Sequence, residues 1–180
     1  MKTKDEIRSE MKKLRREFEN KQSAGKRICE NILSLAEYKN ASCVGIYMAA
    51  FGEADLKHIA DDCKENGKTV VVPVTDKDTN EVLFSKTNGE FVKGAYGIYE
   101  PKYFKFVDFE MIDFICIPGI AFDKDLNRIG FGKGCYDRVL GKMRAFRCGV
   151  CYDFQMLYKI CADEHDIKMD AVVSETGIYR

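Results

Sequence analysis

Helical spacing of apolar residues marks the beginning of the chain. Thr3 and Glu6 stand three residues apart and match a capping box, which predicts that a helix begins here. The apolar residues that follow at spacings of four, three and four indicate one stripe on that helix: Ile7, Met11, Leu14 and Phe18. A second helix is predicted after Ser23, with apolar positions at Ile28, Ile32, Leu33 and Leu35.

Short runs with few polar residues follow, and they are typical of the buried strands of an α/β sheet. These runs are residues 43–48, 68–74, 113–119, 146–152 and 170–175. One helix between them is predicted to be capped by Asp55 and ended by Gly67, and another spans residues 135–140. The chain is then expected to pass from strand to helix repeatedly, as in an α/β fold.

Three further segments have other patterns. Residues 80–87 alternate between polar and apolar types and indicate an exposed antiparallel strand. Residues 94–101 are rich in turn formers, and residues 121–134 are predicted to form one long loop. We therefore expect residues 1–180 to form a single three-layer α/β domain with a mostly parallel central sheet. The layout is Rossmann-like, with a covering β-hairpin.

Composition narrows the class of protein. The 180 residues are 46% hydrophobic, which suits one domain with a sizeable core. Lys and Arg together number 29, as do Asp and Glu, so the chain lacks the basic excess of a general nucleic-acid binder. No apolar run approaches the roughly 20 residues of a membrane span, and the N-terminal residues do not resemble a signal peptide. We expect a cytoplasmic monomer that binds neither nucleic acid nor membrane.

The eight cysteines are interpreted as reduced structural thiols. Cys148 and Cys151 form the one C-x-x-C pair, but they lie within a predicted strand, where an odd spacing directs them to opposite faces. A zinc site would need a second pair of ligands, and neither His58 nor His165 is suitably spaced.

The stretch RIGFGKGCYD, residues 128–137, places three glycines and two cations between a predicted strand and a helix. Such a loop can surround an anion with backbone N–H groups at the carboxyl end of the sheet. It fails the Walker pattern, which would need glycine in place of Asn127 and serine or threonine in place of Gly134. It fails the dinucleotide pattern at Cys135. A phosphate site of another kind and a purely structural turn both remain open.

Nearby acidic residues also allow two interpretations. Asp137, on the first turn of the predicted helix, can either interact with the helix dipole or hold Mg²⁺ beside a phosphate. Residues 163–170, which include Asp166, are either a second source of metal ligands or a solvated loop. Glu53 follows a buried strand at the edge where α/β sheets bind ligands, and it also suits a helix start.

The basic residues of the first helix lie beside its apolar stripe. Lys4 and Arg8 flank one edge of the stripe, and Arg15 falls between them. Their stems can pack on the core while their charges lie at its rim. A solvated amphipathic helix explains the same positions.

Several motifs together resemble one family, the 5-formyltetrahydrofolate cyclo-ligases, over nearly the whole chain. Residues 4–8 resemble its K-x-x-L-R motif, and residues 94–101 are similar to its G-x-x-G-I-x-E-P motif. Residues 118–140 are close to its long glycine-rich signature, and residues 163–175 resemble its terminal acidic motif. Glu53 stands where the family has a glutamate after the first strand.

The resemblance implies an ATP- and Mg²⁺-dependent enzyme that converts 5-formyltetrahydrofolate into 5,10-methenyltetrahydrofolate. Its implied ATP-binding residues are Lys4, Arg8, Arg128, Gly130, Gly132, Lys133, Gly134 and Tyr136. Its implied folate-binding residues are Met48, Glu53, Phe131, Gly132, Lys133, Gly134 and Cys135. Asp137 and Asp166 would hold Mg²⁺, and the implied catalytic residues are Glu53, Lys133 and Tyr136.

Two positions depart from the family pattern. Cys135 replaces a tyrosine, so a ring contact to folate is lost or replaced there, and Cys161 replaces a proline in a loop. One rival interpretation is a non-catalytic folate- or nucleotide-binding module, which would need the three loop glycines but not Asp137 and Asp166 together. Another is a nucleic-acid-binding protein that uses the basic first helix. The zero net charge counts against it.

Overall fold

An eight-stranded sheet forms the centre of the computed structural model, which describes residues 2–76, 78–79, 81–94, 97–163 and 165–180. The helices are α1 (Lys4–Glu17), α2 (Lys21–Ser34), α3 (Ala36–Asn40), α4 (Lys57–Glu65) and α5 (Cys135–Leu140). The first strands are β1 (Cys43–Gly45), β2 (Thr69–Thr75), β3 (Val82–Lys86), β4 (Phe91–Lys93), β5 (Tyr99–Pro101) and β6 (Phe106–Val107). The later ones are β7 (Phe114–Pro118), β8 (Ala121–Asp123), β9 (Arg128–Ile129), β10 (Phe146–Val150), β11 (Met156–Leu157), β12 (Ala171–Val173) and β13 (Ile178–Tyr179).

The order of the strands in the main sheet is β13-β12-β10-β7-β1-β2-β3-β6. The five strands from β12 to β2 are parallel, and antiparallel strands complete both edges. Counted along the chain, the parallel strands lie in the order 2-1-3-4-5, which is a doubly wound arrangement with its switch point between β1 and β7. The expected mostly parallel α/β sheet is confirmed.

The sheet separates two apolar clusters, because neighbouring residues on a strand point to opposite faces. Val44 and Cys116 pack with α2, α3 and α4 on one face. Cys43 and Ile117 pack on the other face with the apolar residues of α5. The three layers predicted from the sequence are therefore present, and the two crossovers beside the switch point run over opposite faces.

The predicted stripe on α1 is wrong in its third turn. The capping box of Thr3 and Glu6 is present, but the buried residues of the helix are Ile7, Met11 and Arg15. Leu14 is 38% exposed, whereas Arg15 is only 1% exposed. The spacing of four along this face lets α1 pack over β8 and β9, and backbone carbonyls on that side accept hydrogen bonds from the arginine.

The long loop predicted at residues 121–134 contains regular structure that the pattern did not show. β8 pairs with β9 and with β11 to form a small three-stranded sheet. Asp123 organises it, with no exposed surface. Its carboxylate accepts hydrogen bonds from the backbone of Asp125, Asn127 and Ile160, at 3.0, 2.9 and 2.7 Å. The turn before the glycine loop is thereby fixed to the segment that leads to the terminal acidic motif.

The covering hairpin consists of β4 and β5, which pair antiparallel beside β2. The antiparallel strand predicted at residues 80–87 is present as β3, but it is not exposed, since Val82, Phe84 and Ser85 are buried. Residue 80, and residues 95 and 96 of the predicted turn-rich segment, lie outside the described residues. Gly94 leaves room for Glu100, because a Cβ at residue 94 would overlap the carboxylate of Glu100.

Two helix starts differ from the predictions, whereas the cysteines follow them. α2 begins at Lys21, so Ser23 lies inside it. The N-cap of α4 is Leu56 and not Asp55, although the Asp55 carboxylate accepts the N–H of Lys57 at 2.9 Å. The eight cysteines are free thiols, and Cys148 and Cys151 belong to the two different apolar clusters. No helix among the described residues has the length and apolar character that a membrane span requires.

We expect Asp123→Ala to lower the free energy of unfolding by about 2–4 kcal/mol, because it leaves several buried donors without a partner. Urea denaturation followed by circular dichroism measures this loss. The matched control is Asp125→Ala, which changes an exposed acid of the same turn and should stay within about 0.5 kcal/mol of the wild type. Equal losses in the two variants would contradict the role of Asp123.

Candidate active site

A cavity of about 640 Å³ opens at the carboxyl ends of β1 and β7, where the doubly wound order places a ligand crevice. All the site residues predicted from the sequence line it. They are Lys4, Arg8, Met48, Glu53, Arg128, Gly130, Phe131, Gly132, Lys133, Gly134, Cys135, Tyr136, Asp137 and Asp166. Segments as far apart in sequence as α1 and the terminal acidic motif therefore share one cavity wall.

The glycine-rich loop connects β9 to α5 and forms one side of this cavity. Gly132 and Gly134 have φ angles of 98° and 63°, in the region that favours glycine. A Cβ on Gly132 would also lie 3.3 Å from the guanidinium carbon of Arg8. The Arg8 Nε donates to the carbonyl of Gly130 at 3.0 Å. The conformation of the loop thus brings a cation of α1 against its backbone.

Arg128 holds the base of the loop, with only 7% of its surface exposed. Its guanidinium donates to the carbonyl of Pro118 at 3.3 Å and to Asp137 Oδ1 at 2.8 Å. It also lies over the ring of Tyr136, 5.7 Å from the centroid, while its Nε finds no partner among the described residues. The end of β7, the loop and α5 are joined by this one side chain.

Lys4 bridges the two ends of the chain. Its ammonium donates to Asp163 Oδ2 and to Asp166 Oδ2, at 2.7 Å each. Burial lowers the pKa of Lys4, but the two carboxylates raise it by a larger amount, so the net pKa is raised. For Asp166, burial raises the pKa, and the hydrogen bonds from Lys4 and from the Asp163 N–H outweigh it, so the net pKa is lowered.

Glu53 is an acid of the cavity whose side chain is only 8% exposed. Its carboxylate accepts the N–H of Ala50 at 3.0 Å and lies 3.7 Å from the guanidinium of Arg15. Burial raises the pKa of Glu53 to about 7, against the opposing effects of Arg15 and the Ala50 N–H. Glu53 can therefore exist in either protonation state near neutral pH.

The remaining predicted residues lie along the same walls. Burial raises the pKa of Tyr136, so its phenol stays neutral and can donate a hydrogen bond. Cys135 and Met48 are half-buried, and Phe131 is 38% exposed beside Phe51, with ring centroids 5.9 Å apart. These two rings lie at the cavity mouth, where they offer apolar surface.

Sequence analysis missed three charged residues of the cavity: Lys12, Glu100 and Asp163. Lys12 follows Arg8 by one helical turn, so the spacing could have revealed it. Its ammonium lies 5.8 Å from the centroid of the Phe131 ring. Glu100 is the acid of the motif at residues 94–101, and it accepts the N–H of Thr75 at 3.1 Å.

The two predicted metal ligands have the right chemistry for Mg²⁺, since one or two carboxylates together with phosphate oxygens can complete its coordination. Both line the cavity, but Asp137 is paired with Arg128, and Asp166 with Lys4. No cluster of three or more His, Cys, Asp or Glu ligands occurs within the described part of the chain. The arrangement fits a metal that a phosphate ligand helps to hold, rather than one bound by protein ligands alone.

Comparisons with known proteins agree on one family. The profile of the 5-formyltetrahydrofolate cyclo-ligase family matches residues 1–175. A probable 5-formyltetrahydrofolate cyclo-ligase of Schizosaccharomyces pombe is 31% identical over 173 residues, which cover 85% of this chain and 84% of the relative. The enzyme of Escherichia coli K12 is 26% identical, with coverage of 89% and 93%.

Solved structures give the same result. The NMR structure of 5,10-methenyltetrahydrofolate synthetase from Aquifex aeolicus superposes with a TM-score of 0.86 at 31% identity, covering 98% of this chain and 92% of that one. The synthetase of Mycoplasma pneumoniae shares the fold, with a TM-score of 0.82 at 23% identity and coverage of 97% and 99%. On these matches and the shared cavity, the chain belongs to the 5-formyltetrahydrofolate cyclo-ligase family.

Proposed function

We propose that the protein uses ATP to cyclise 5-formyltetrahydrofolate to 5,10-methenyltetrahydrofolate, with release of ADP and phosphate. The observation that carries this proposal is the single cavity at the switch point, where the glycine loop and the cations of α1 face the buried Glu53. In a chain of this family, that cavity supplies a phosphate-binding side and a folate-binding side within one space.

Two bond exchanges account for the reaction. The formyl oxygen attacks the γ-phosphorus of ATP, the new O–P bond forms, and the bond to ADP breaks. The resulting iminium phosphate has a good leaving group where hydroxide would have been a poor one. N10 then attacks the formyl carbon, the C–O bond to phosphate breaks, and the proton of N10 is lost to the surroundings.

Phosphoryl transfer asks a protein mainly for positioning and charge neutralisation. Lys4, Arg8, Arg128 and Lys133 supply the cations, and the backbone N–H groups from Gly130 to Gly134 supply further donors. Because Lys4 and Arg128 are paired with Asp166 and Asp137, phosphates that replaced these carboxylates would release both aspartates toward a metal. Mg²⁺, when bound, would neutralise charge on the transferred phosphate.

The folate side of the cavity is less polar. Met48, Phe131 and Cys135 would pack against the pterin, and the thiol of Cys135 occupies less space than the tyrosine of the family pattern. Ionised Glu53 would stabilise the cationic iminium phosphate, because a carboxylate in a dry site acts strongly on a nearby positive charge. Neutral Tyr136 would donate a hydrogen bond to a phosphate oxygen, and Lys133 would contact the transferred group.

The decisive assay mixes the protein with ATP, Mg²⁺ and 5-formyltetrahydrofolate and follows the near-ultraviolet absorbance of the methenyl product. We expect the band to grow only when ATP is present, with one ADP formed for each product molecule. Well-folded protein that binds both ligands without any growth of the band would indicate the alternative, a non-catalytic binding module.

Asp137→Asn should lower kcat at least about tenfold and raise the Mg²⁺ concentration needed for half-maximal rate, since one carboxylate ligand is lost. The matched control is Asp170→Asn, which removes a similar carboxylate outside the cavity. Asp170 and Asp137 are 32% and 30% exposed, and each pairs with an arginine at 2.8 Å. Circular dichroism confirms folding. Unchanged turnover at ordinary Mg²⁺ would show that the metal role is wrong.

The pKa of Glu53 predicts the pH dependence of the reaction. The carboxylate form is the active one in this mechanism, so kcat/KM should rise with pH through a midpoint near 7 and level off at higher pH. Glu53→Gln should remove this rise and lower kcat/KM by about 10²–10³ at pH 8. The rate of ADP formation measures both effects. Glu17→Gln, an exposed acid on α1, serves as the control, and a wild-type profile in Glu53→Gln would contradict the role.

A further inference from the structure

Arg15 is a buried arginine that the proposed reaction does not use directly. It lies in the last turn of α1, is 1% exposed, and does not line the cavity itself. An arginine remains protonated in proteins, so its burial places a fixed positive charge beneath the cavity. Such a charge is costly unless neighbouring groups compensate for it.

The contacts of Arg15 join three segments that form the cavity. Its guanidinium donates to the carbonyl of Phe51, after β1, at 2.9 Å, and to the carbonyl of Gly119, after β7, at 3.2 Å. It also lies 5.6 Å from the centroid of the Phe131 ring in the glycine loop. Gly52 packs against the backbone of the same residue, because a Cβ there would lie 3.2 Å from the Arg15 carbonyl oxygen.

Glu53 is the one carboxylate among the described residues that forms an ion pair with Arg15. The closest nitrogen lies 3.7 Å from Glu53 Oε1, which is an ion pair without a hydrogen bond. The Nε of Arg15 also finds no partner among the described residues. The guanidinium is thus held mainly by backbone carbonyls, and its charge is left to act on the neighbouring carboxylate.

We propose that Arg15 is a positioning residue that favours the ionised form of Glu53 and holds its carboxylate in place, and that it acts on the reaction through Glu53 alone. The proposal rests on the proposed function only for the role of Glu53 in catalysis. The pairing itself can be tested without substrate.

Within the part of the chain that the structure describes, no formal charge other than Arg15 acts comparably on Glu53. Three phenols interact with it: Tyr47 after β1, Tyr136 on α5 and Tyr152 after β10. Burial raises the pKa of each phenol, so all three are neutral at ordinary pH. Besides burial, the pKa of Glu53 responds to Arg15 and to the Ala50 N–H, and both act downward. Removal of the arginine charge should therefore raise the pKa of Glu53.

The test compares Arg15→Met, which keeps a long stem without charge, with Arg15→Lys, which keeps the charge but loses the paired donors. Arg16→Met, an exposed neighbour on the same turn, is the matched control. Titration of the Glu53 carboxyl by ¹³C NMR, assigned with Glu53→Gln, gives its pKa in each folded protein. We expect Arg15→Met to raise it by about one unit or more, Arg15→Lys by less than about half a unit, and Arg16→Met not at all.

The pH profile of kcat/KM provides the functional comparison. In Arg15→Met the rise should move to higher pH by the same amount as the NMR pKa, with a loss of about five- to tenfold at pH 7 that is recovered at higher pH. A loss that is equal at every pH, with an unmoved Glu53 pKa, would overturn the proposal and leave Arg15 as part of the scaffold.

A double-variant comparison covers the case in which Arg15→Met does not fold. Introduced into the wild type, Arg15→Lys should lower the rate of the reaction. Introduced into Glu53→Gln, it should lower the rate no further, because Arg15 acts through Glu53. Equal slowing in both backgrounds would overturn the proposal. If the wild type forms no methenyl product, the proposed function fails, while the NMR titration still decides whether Arg15 sets the ionisation of Glu53.

Discussion

The site depends on the divergence of the chain at the carboxyl ends of β1 and β7. These neighbouring strands send their crossovers over opposite faces of the sheet, so no connection fills the space between them. Segments that follow β1 and β7 line this space, and α1, β2, the covering hairpin and the terminal acidic motif add further walls. The position of the cavity therefore follows from the strand order, whereas its chemistry depends on the side chains that line it.

Charge balance is a second constraint on the cavity. Among the described residues, five cations line it: Lys4, Arg8, Lys12, Arg128 and Lys133. Five acids line it as well: Glu53, Glu100, Asp137, Asp163 and Asp166. Two of the cations, Lys4 and Arg128, form ion pairs with acids of the same cavity. Because the charges of the lining balance, a polyanion is attracted only weakly by its net charge, and it must displace these acids to contact the two cations. In the proposed function, selectivity for a phosphate chain would come from geometry, because the loop backbone would offer donors at fixed positions.

Most of the architecture could be predicted from sequence because the parallel strands are uniformly apolar and α5 follows an obvious glycine loop. The site residues were accessible through motifs, although their roles stay predictions. The wrong predictions concern residues whose environment is set by contacts with distant parts of the chain. Leu14 was placed inside and Arg15 at a rim, since spacing alone cannot show that carbonyls of Phe51 and Gly119 meet the guanidinium. The β8–β9 pair was missed because its strands are only three and two residues long.

The residues on which α1 packs determine when this helix can reach its place during synthesis. The apolar face of this helix packs on Ile120, Ala121, Ile129 and Ile160, more than a hundred residues later in the chain. Asp166, which accepts a hydrogen bond from Lys4, is synthesised later still. α1 is thus among the last of these elements to reach its final place, and Lys4 stays without Asp166 until that residue has been synthesised.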